Sequence, residues 1–302
     1  MGTFALDAPG EAPADVVLFG APHGTPYAGI DNEVYAATAE VLRTTSNVDG
    51  DWSAHWNYDV GGPLFGHHGL RVGDLGDLPT QSHDGPGNRR LIEAATRSIV
   101  AAGAVPLMIG GDDSVPIPFL TGLEALGPLT ILQIDAHIDW RQERRDEPFG
   151  FSSTMRRASE LPHVERIIQV GMRGFGSARA EEIAIAADWG AEIITAREVH
   201  HHGIEPILAR IPAGAMVAVT VDMDAFDASL MPAVMAPSPG GLDYTQVTDL
   251  IAGVAARGRL GAFDLIEFVP GRDRDGTCAI TAVSLLQFVI GTLAADGFSG
   301  GA

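Results

Sequence analysis

Eight short runs of apolar and β-branched residues recur along the chain, spaced widely enough for a helix to fit between most successive pairs. They cover residues 16–19, 70–73, 105–109, 130–134, 167–170, 192–194, 216–221 and 261–267. Amphipathic or alanine-rich stretches at 32–43, 88–102, 179–189, 244–256 and 281–293 have helical character. Strands alternating with helices predict βα units feeding a mostly parallel sheet. The strand runs are nearly continuous in apolar residues, as expected where both faces of a sheet are covered. A closed eight-stranded barrel and an open sheet flanked by helices both satisfy this pattern. No Pro/Ser-rich linker or compositional break divides residues 1–302, which predicts a single domain. Residues 47–68 have no clear period and carry Trp52, Trp56 and Tyr58, which predicts a long loop or insertion. Residues 297–302 have the composition of a flexible tail.

Charge narrows the range of partners. The 302 residues contain 39 Asp and Glu against 19 Lys and Arg, a formal charge of -20. Binding nucleic acid or an anionic membrane needs clustered Lys and Arg, so neither is expected as a partner. Cys278 is the single cysteine. A disulfide framework, a multi-thiolate zinc site and an iron–sulfur site are therefore excluded, and a reducing, cytoplasmic setting is expected. The first residues lack a basic segment followed by an apolar stretch, and no uninterrupted run of 18 apolar residues occurs, so no membrane span is expected.

The acids sit where a parallel sheet places its ligands, beyond the carboxyl ends of the strands. The run at 105–109 leads into Gly110-Gly111-Asp112-Asp113-Ser114, and that at 130–134 into Asp135-Ala136-His137-Ile138-Asp139. The run at 216–221 leads into Asp222-Met223-Asp224, and the last run ends at Glu267. At a strand end, residues i and i+2 project to the same side, so these acids and the imidazole share one space. Left unneutralised, such a cluster is costly, whereas divalent cations make it favourable. Oxygen-rich ligation with one imidazole suits Mn²⁺, with Ni²⁺, Co²⁺ or Zn²⁺ less specific choices. Asp at a strand-to-helix junction also caps helices, which leaves Asp112 open between the two roles.

These segments resemble the arginase/agmatinase (ureohydrolase) family. The family's Gly-Gly-Asp-His-Ser, Asp-Ala-His-x-Asp and Asp-x-Asp-x-x-Asp-Pro motifs correspond to residues 110–114, 135–139 and 222–228. Pro237-Ser238-Pro239-Gly240-Gly241-Leu242, the Asp264 to Pro270 segment and Thr154-Met155-Arg156-Arg157-Ala158 are similar to further family motifs, in family order. The resemblance implies an α/β fold of three layers, α/β/α, with an eight-stranded, mostly parallel open sheet. It implies two divalent metal ions per chain, most commonly Mn²⁺, and a homo-oligomer, trimer or hexamer. It implies hydrolysis of a small guanidino substrate to urea and an amine by a metal-bridging hydroxide. Asp113, Asp135, Asp139 and Asp222 would serve one metal, and Asp135, His137, Asp222 and Asp224 the other. Glu267 would pair with the guanidinium.

Two positions depart from the family pattern. Asp113 stands where the family has a histidine ligand, which gives five ligand carboxylates where the pattern has four. Extra negative charge disfavours bound hydroxide and predicts a more alkaline optimum or a weaker first metal. Counting on from Asp139 brings Phe151 to the place of an agmatinase-branch histidine, and Phe carries no proton. Ser152, Ser153, His55, His67 and His68 are the nearby polar candidates to replace it, with Ser153 taken as a substrate contact. His23 lies in a Gly/Pro-rich turn, His200-His201-His202 in a surface loop, and Gly171 to Gly176 in a strand-to-helix turn. Two other readings stand beside guanidino hydrolysis: an amide or amidine C–N hydrolase on the same scaffold, and a catalytically silent subunit.

Overall fold

The computed structural model describes residues 3–47, 53–67, 69–175 and 178–295. Its strands are β1 Phe4–Ala5, β2 Val16–Ala21, β3 Val72–Asp77, β4 Val105–Gly110, β5 Leu129–Ile134, β6 Val164–Met172, β7 Glu192–Thr195, β8 Met216–Asp222 and β9 Arg259–Ile266. They form one open sheet in the order β1-β3-β2-β4-β9-β8-β5-β6-β7, with each pairing parallel. The open sheet, rather than the barrel, is the architecture adopted.

Helices α1 Thr38–Asn47, α2 Gly85–Ala101, α3 Pro116–Gly122, α4 Thr154–Ala158, α5 Ala180–Trp189, α6 Ala196–His202, α7 Glu205–Leu208, α8 Tyr244–Arg257 and α9 Thr277–Ala295 cover the two faces. Alternation along single strands shows the two-sided burial. Val16 and Leu18 of β2 join one apolar cluster, while Val17 and Phe19 join the cluster on the opposite face. On β5, Leu132 and Ile134 face one way and Leu129 and Ile131 the other. Truncating one of these fully buried side chains to Ala would cost about 2–5 kcal/mol.

Several expectations needed correction. The sheet has nine strands rather than eight, because β1 is a two-residue edge strand too short to carry a period. The strand expected at 70–73 runs instead from Val72 to Asp77. Its polar end is held by Arg43, whose Nε donates to Asp74 Oδ2 at 2.8 Å and whose Nη1 donates to Asp77. A 3-10 turn at Glu33–Tyr35 replaces the start of the first expected helix. Residues 200–202 form the last turn of α6, whose Thr195 cap accepts from Glu198 N–H, and are not a surface loop.

Helix α9 is long and apolar enough to cross a membrane, with a mean hydropathy of 2.0, and 72% of that window is buried inside the fold. The described part of the long segment packs at its far end, Val60 beside Gly291 and Gly66 against Ala294. A helix returning from a parallel strand runs back toward the amino ends of the strands. Neither His55 nor His67 lines the cavity that holds the acids. His68 and residues 297–302 lie outside the described residues.

The order β4-β9-β8-β5 makes neighbours of the four strands whose ends carry the acids. Strands β4 and β5 are consecutive in sequence yet separated by two others. The crevice where the connection leaves its neighbour is where open α/β sheets bind ligands.

Candidate active site

Close backbone approach shapes the end of β4. A Cβ on Gly111 would lie 2.3 Å from the Pro22 carbonyl oxygen, so the turn into Asp112 and Asp113 requires glycine. Asp112 Oδ1 accepts from Ser114 Oγ at 2.5 Å and from Ser114 N–H at 3.2 Å, so its carboxylate closes a local turn at the rim of the cavity. Asp113 is different. Both of its carboxylate oxygens are buried without a hydrogen-bond partner.

From β5, Asp135, His137 and Asp139 enter the same space. Asp139 has a φ of 49° and Glu267, beyond β9, a φ of 65°, left-handed values that L-residues rarely adopt. Each costs on the order of 1–3 kcal/mol, and such strain concentrates at functional sites. From β8, Asp222 Oδ1 accepts the Asp224 N–H at 2.7 Å, and the Ala136 N–H donates to Asp224 Oδ1 at 3.2 Å. A Cβ on Gly171 (φ +108°) would meet the Asp135 carbonyl oxygen at 2.7 Å.

Two ligand groups result. Asp113, Asp135 and Asp139 present oxygens within 4.8 Å of one another, as do the oxygens and ring nitrogen of Asp135, His137 and Asp224. Asp135 belongs to both. Asp222 joins neither triplet at that spacing but lines the same cavity. Burial, followed by the repulsion of Asp139, Asp135 and Asp222, holds the Asp113 carboxyl well above its usual range. Burial is also the leading cause of the strong upward shifts at Asp139 and Asp222 and of the rise at Asp135. At His137, burial disfavours the cation, but Asp135 and Asp224 outweigh it and push the imidazole up to about 12. Its Nδ1 lies 3.5 Å from Asp135 and 3.2 Å from Asp224. Such an array needs positive charge. The two unpartnered Asp113 oxygens, the crowded carboxylates and the single imidazole fit divalent ions of the Mn²⁺ type.

A buried amide supports this array. Gln133 Nε2 donates to Asp135 Oδ2 at 2.7 Å and to Asp139 Oδ2 at 3.0 Å. Gln169 Nε2 donates to Gln133 Oε1, and Trp140 Nε1 donates to Gln169 Oε1 at 2.7 Å. Gln133 went unrecognised in the sequence. Its signal was a polar residue inside a strand covered on both faces.

Glu267 is buried with both oxygens held: Oε1 accepts from Asp113 N–H at 3.0 Å, and Oε2 accepts from the Tyr35 hydroxyl. Among the described residues no arginine pairs with it. Burial, then the Asp112 charge, raise its carboxyl to about 8 against the lowering effect of Tyr35. Burial and the Glu267 charge hold the Tyr35 phenol well above its usual value, so it remains a donor.

Asp112, Asp113, His137, Asp139, Asp222, Asp224, Tyr35 and Glu267 line a cavity of about 180 Å³, together with Phe151, Ile30, Asp31 and Met235, while Asp135 and Gln133 are not part of the lining. Phe151 occupies the wall expected from counting, packed edge-on against Tyr27 with centroids 4.7 Å apart. Ser153 does not reach the cavity. It is fully buried at the N-terminus of α4, with its Oγ unpartnered. Ser152 is also buried and does not line it. The structure thus gives no support to Ser153 as a substrate contact, because the start of α4 buries it away from the lining. His23 belongs to its turn, near Thr80 at 3.2 Å, and His200 Nε2 donates to Gly241 O at 3.0 Å.

Two further segments brace the β8 loop. Asp227 Oδ2 accepts from Gly240 N–H at 2.6 Å and Gly241 N–H at 3.1 Å. Arg173 donates to the carbonyl oxygens of Asp224, Phe226 and Ser238 at 2.5, 3.0 and 2.9 Å.

Comparison with known proteins agrees with this geometry. The arginase family model matches residues 14–291. The guanidinopropionase of Pseudomonas aeruginosa is 31% identical over 223 residues, 72% of this chain and 70% of that protein. The agmatinase of Pyrococcus horikoshii is 29% identical over 229 residues, 74% of this chain and 75% of its own length. The crystal structure of agmatine ureohydrolase of Thermoplasma volcanium superposes with a TM-score of 0.76 at 26% identity, covering 92% of this chain and 89% of that one.

Proposed function

The chain belongs to the arginase family, a family of metal-dependent ureohydrolases, and on that premise we propose that it cleaves a guanidino C–N bond, releasing urea and an amine. The observation that carries this reading is the placing of Glu267. It is a buried carboxylate with no basic partner among the described residues, fixed at both oxygens, beside a cluster of metal-type ligands.

Asp113, Asp135, Asp139 and Asp222 would hold one divalent ion, and Asp135, His137, Asp222 and Asp224 the second, with Mn²⁺ the favoured metal. When bound, such a pair lowers the pKa of water enough to supply a nucleophile near neutral pH. The remaining steps belong to the chain. Each Glu267 oxygen already accepts one hydrogen bond and retains another lone pair, so the carboxylate is oriented for a planar, two-pronged contact with a guanidinium. Tyr35 and the Asp113 N–H fix that orientation before substrate arrives. Phe151 and Ile30 wall off solvent, which strengthens charge pairing inside the cavity. Phe151 moves no proton, so protonation of the departing amine falls to the cavity carboxyl groups or to water.

The proposed setting is a homo-oligomer in the cytoplasm, supported by the lone cysteine and by the resemblance. The test is urea release by Mn²⁺-loaded protein from agmatine, guanidinobutyrate, guanidinopropionate, arginine and guanidine. Release from any of them supports the reading. Silence across the panel in folded, metal-bound protein transfers the assignment to another C–N substrate or to a silent subunit.

A further inference from the structure

Resting on the guanidino reading, we propose that this site takes guanidines whose tail carries no negative charge and discriminates against ω-guanidino acids. The similarity to a guanidinopropionase does not lead to this expectation; the walls of the cavity do.

Volume locates the tail. The cavity of about 180 Å³ is smaller than the roughly 300–1,000 Å³ of typical small-molecule sites. The ions, a guanidinium against Glu267 and the first tail atoms fill it. The end of a four-carbon tail therefore reaches the mouth, where Ile30, Asp31, Met235 and Ala236 stand. Asp31 is exposed there, and its Oδ1 accepts the Glu33 N–H at 2.9 Å, which fixes the carboxylate at the rim.

Charge then selects. Among the described residues lining the cavity, none is Lys or Arg, and the one imidazole, His137, sits with the ligands. Five ligand carboxylates exceed the charge of two divalent ions, the bound guanidinium offsets Glu267, and Asp31 adds to the excess at the mouth. An anionic tail would meet like charge with no cation in the lining, since Arg272 beside the mouth is engaged by the Val234 and Met235 carbonyl oxygens at 2.6 and 3.1 Å, and unpaired like charges in a narrow, poorly hydrated space repel strongly. Asn32 Nδ2, buried and unpartnered, is a neutral donor and does not reverse this field. Arg144 is outside the lining: its guanidinium stacks on the Tyr27 and Phe151 rings, 5.2 and 5.7 Å from their centroids.

Three substrates of matched length isolate the tail charge: butylguanidine, agmatine and 4-guanidinobutyrate. With Mn²⁺-loaded wild-type protein, kcat/KM for the neutral and cationic compounds is expected to exceed that for the acid by at least roughly tenfold. Calorimetric binding of the three should follow the same order, whether or not they turn over. Asp31→Asn, which keeps the acceptor to Glu33, should narrow the gap by raising the acid's kcat/KM. Equal use of the three, or preference for the acid, overturns the inference while leaving guanidino hydrolysis standing. An acid preference lost in Arg144→Gln would make Arg144 the tail anchor instead. Failure of all three to bind or react overturns this inference, and urea release from the other guanidines then decides whether the functional reading falls with it.

Discussion

Tyr35 donates its hydroxyl to Glu267 across 232 positions of sequence, joining a 3-10 turn near the amino terminus to the last strand of the sheet. The contact lies in the buried lining of the cavity and fixes the carboxylate proposed to receive the guanidinium. Tyr35→Phe removes one hydrogen bond to a charged group, worth about 1.5–3 kcal/mol. The expected result is a rise in KM of roughly 10- to 100-fold, with kcat less affected and metal content unchanged. Steady-state kinetics with metal analysis checks it, and an unaltered KM would contradict the role.

Gln133 touches two proposed ligands with a single amide. Gln133→Leu leaves Asp135 and Asp139 without that donor. Residues that orient ligands in this way typically affect metal affinity by about 10- to 100-fold. A Mn²⁺ titration should show weaker binding in the variant, with the circular dichroism spectrum retained.

Asp264 offers a test of stability. It is fully buried on β9, with Oδ1 accepting from Thr220 Oγ1 at 2.7 Å and Oδ2 unpartnered. Burial raises its carboxyl from 3.8 to about 8. The native state therefore holds this proton more tightly than the unfolded chain does. The stabilisation from that proton is present below about pH 4 and is lost as pH rises toward 8, at up to ~1.4 kcal/mol per unit. Asp264→Asn removes the titration. Its Tm advantage over wild type should grow from pH 4 to pH 8, and a constant difference would contradict the assignment.

Asp113→His restores the family's neutral ligand and removes one negative charge. The rising, acid limb of activity should shift to lower pH, or the first metal should bind more tightly. Wild-type activity already on its plateau below neutrality would contradict the effect ascribed to Asp113.

Much of the site was legible because its acids interrupt apolar strands at their carboxyl ends. Asp135, His137, Asp139, Asp222, Asp224 and Glu267 all stand at such breaks, and the sheet order makes their strands neighbours. Tyr35 was illegible because its partner is created only by tertiary packing. Ser153 was misplaced because counting along the chain does not reveal that the start of α4 buries it. The open sheet could not be told from a barrel by period, since both bury their parallel strands on two faces.

The central claim is tested most directly by counting metal and urea in one sample. Wild-type protein equilibrated with Mn²⁺ should carry two ions per chain and release urea and amine in equal amounts from at least one guanidine. The Glu267→Gln variant should keep both ions and lose most of that release. Folded protein that takes up no divalent ion, or that holds two ions, binds a guanidine and yields no urea, would contradict the account.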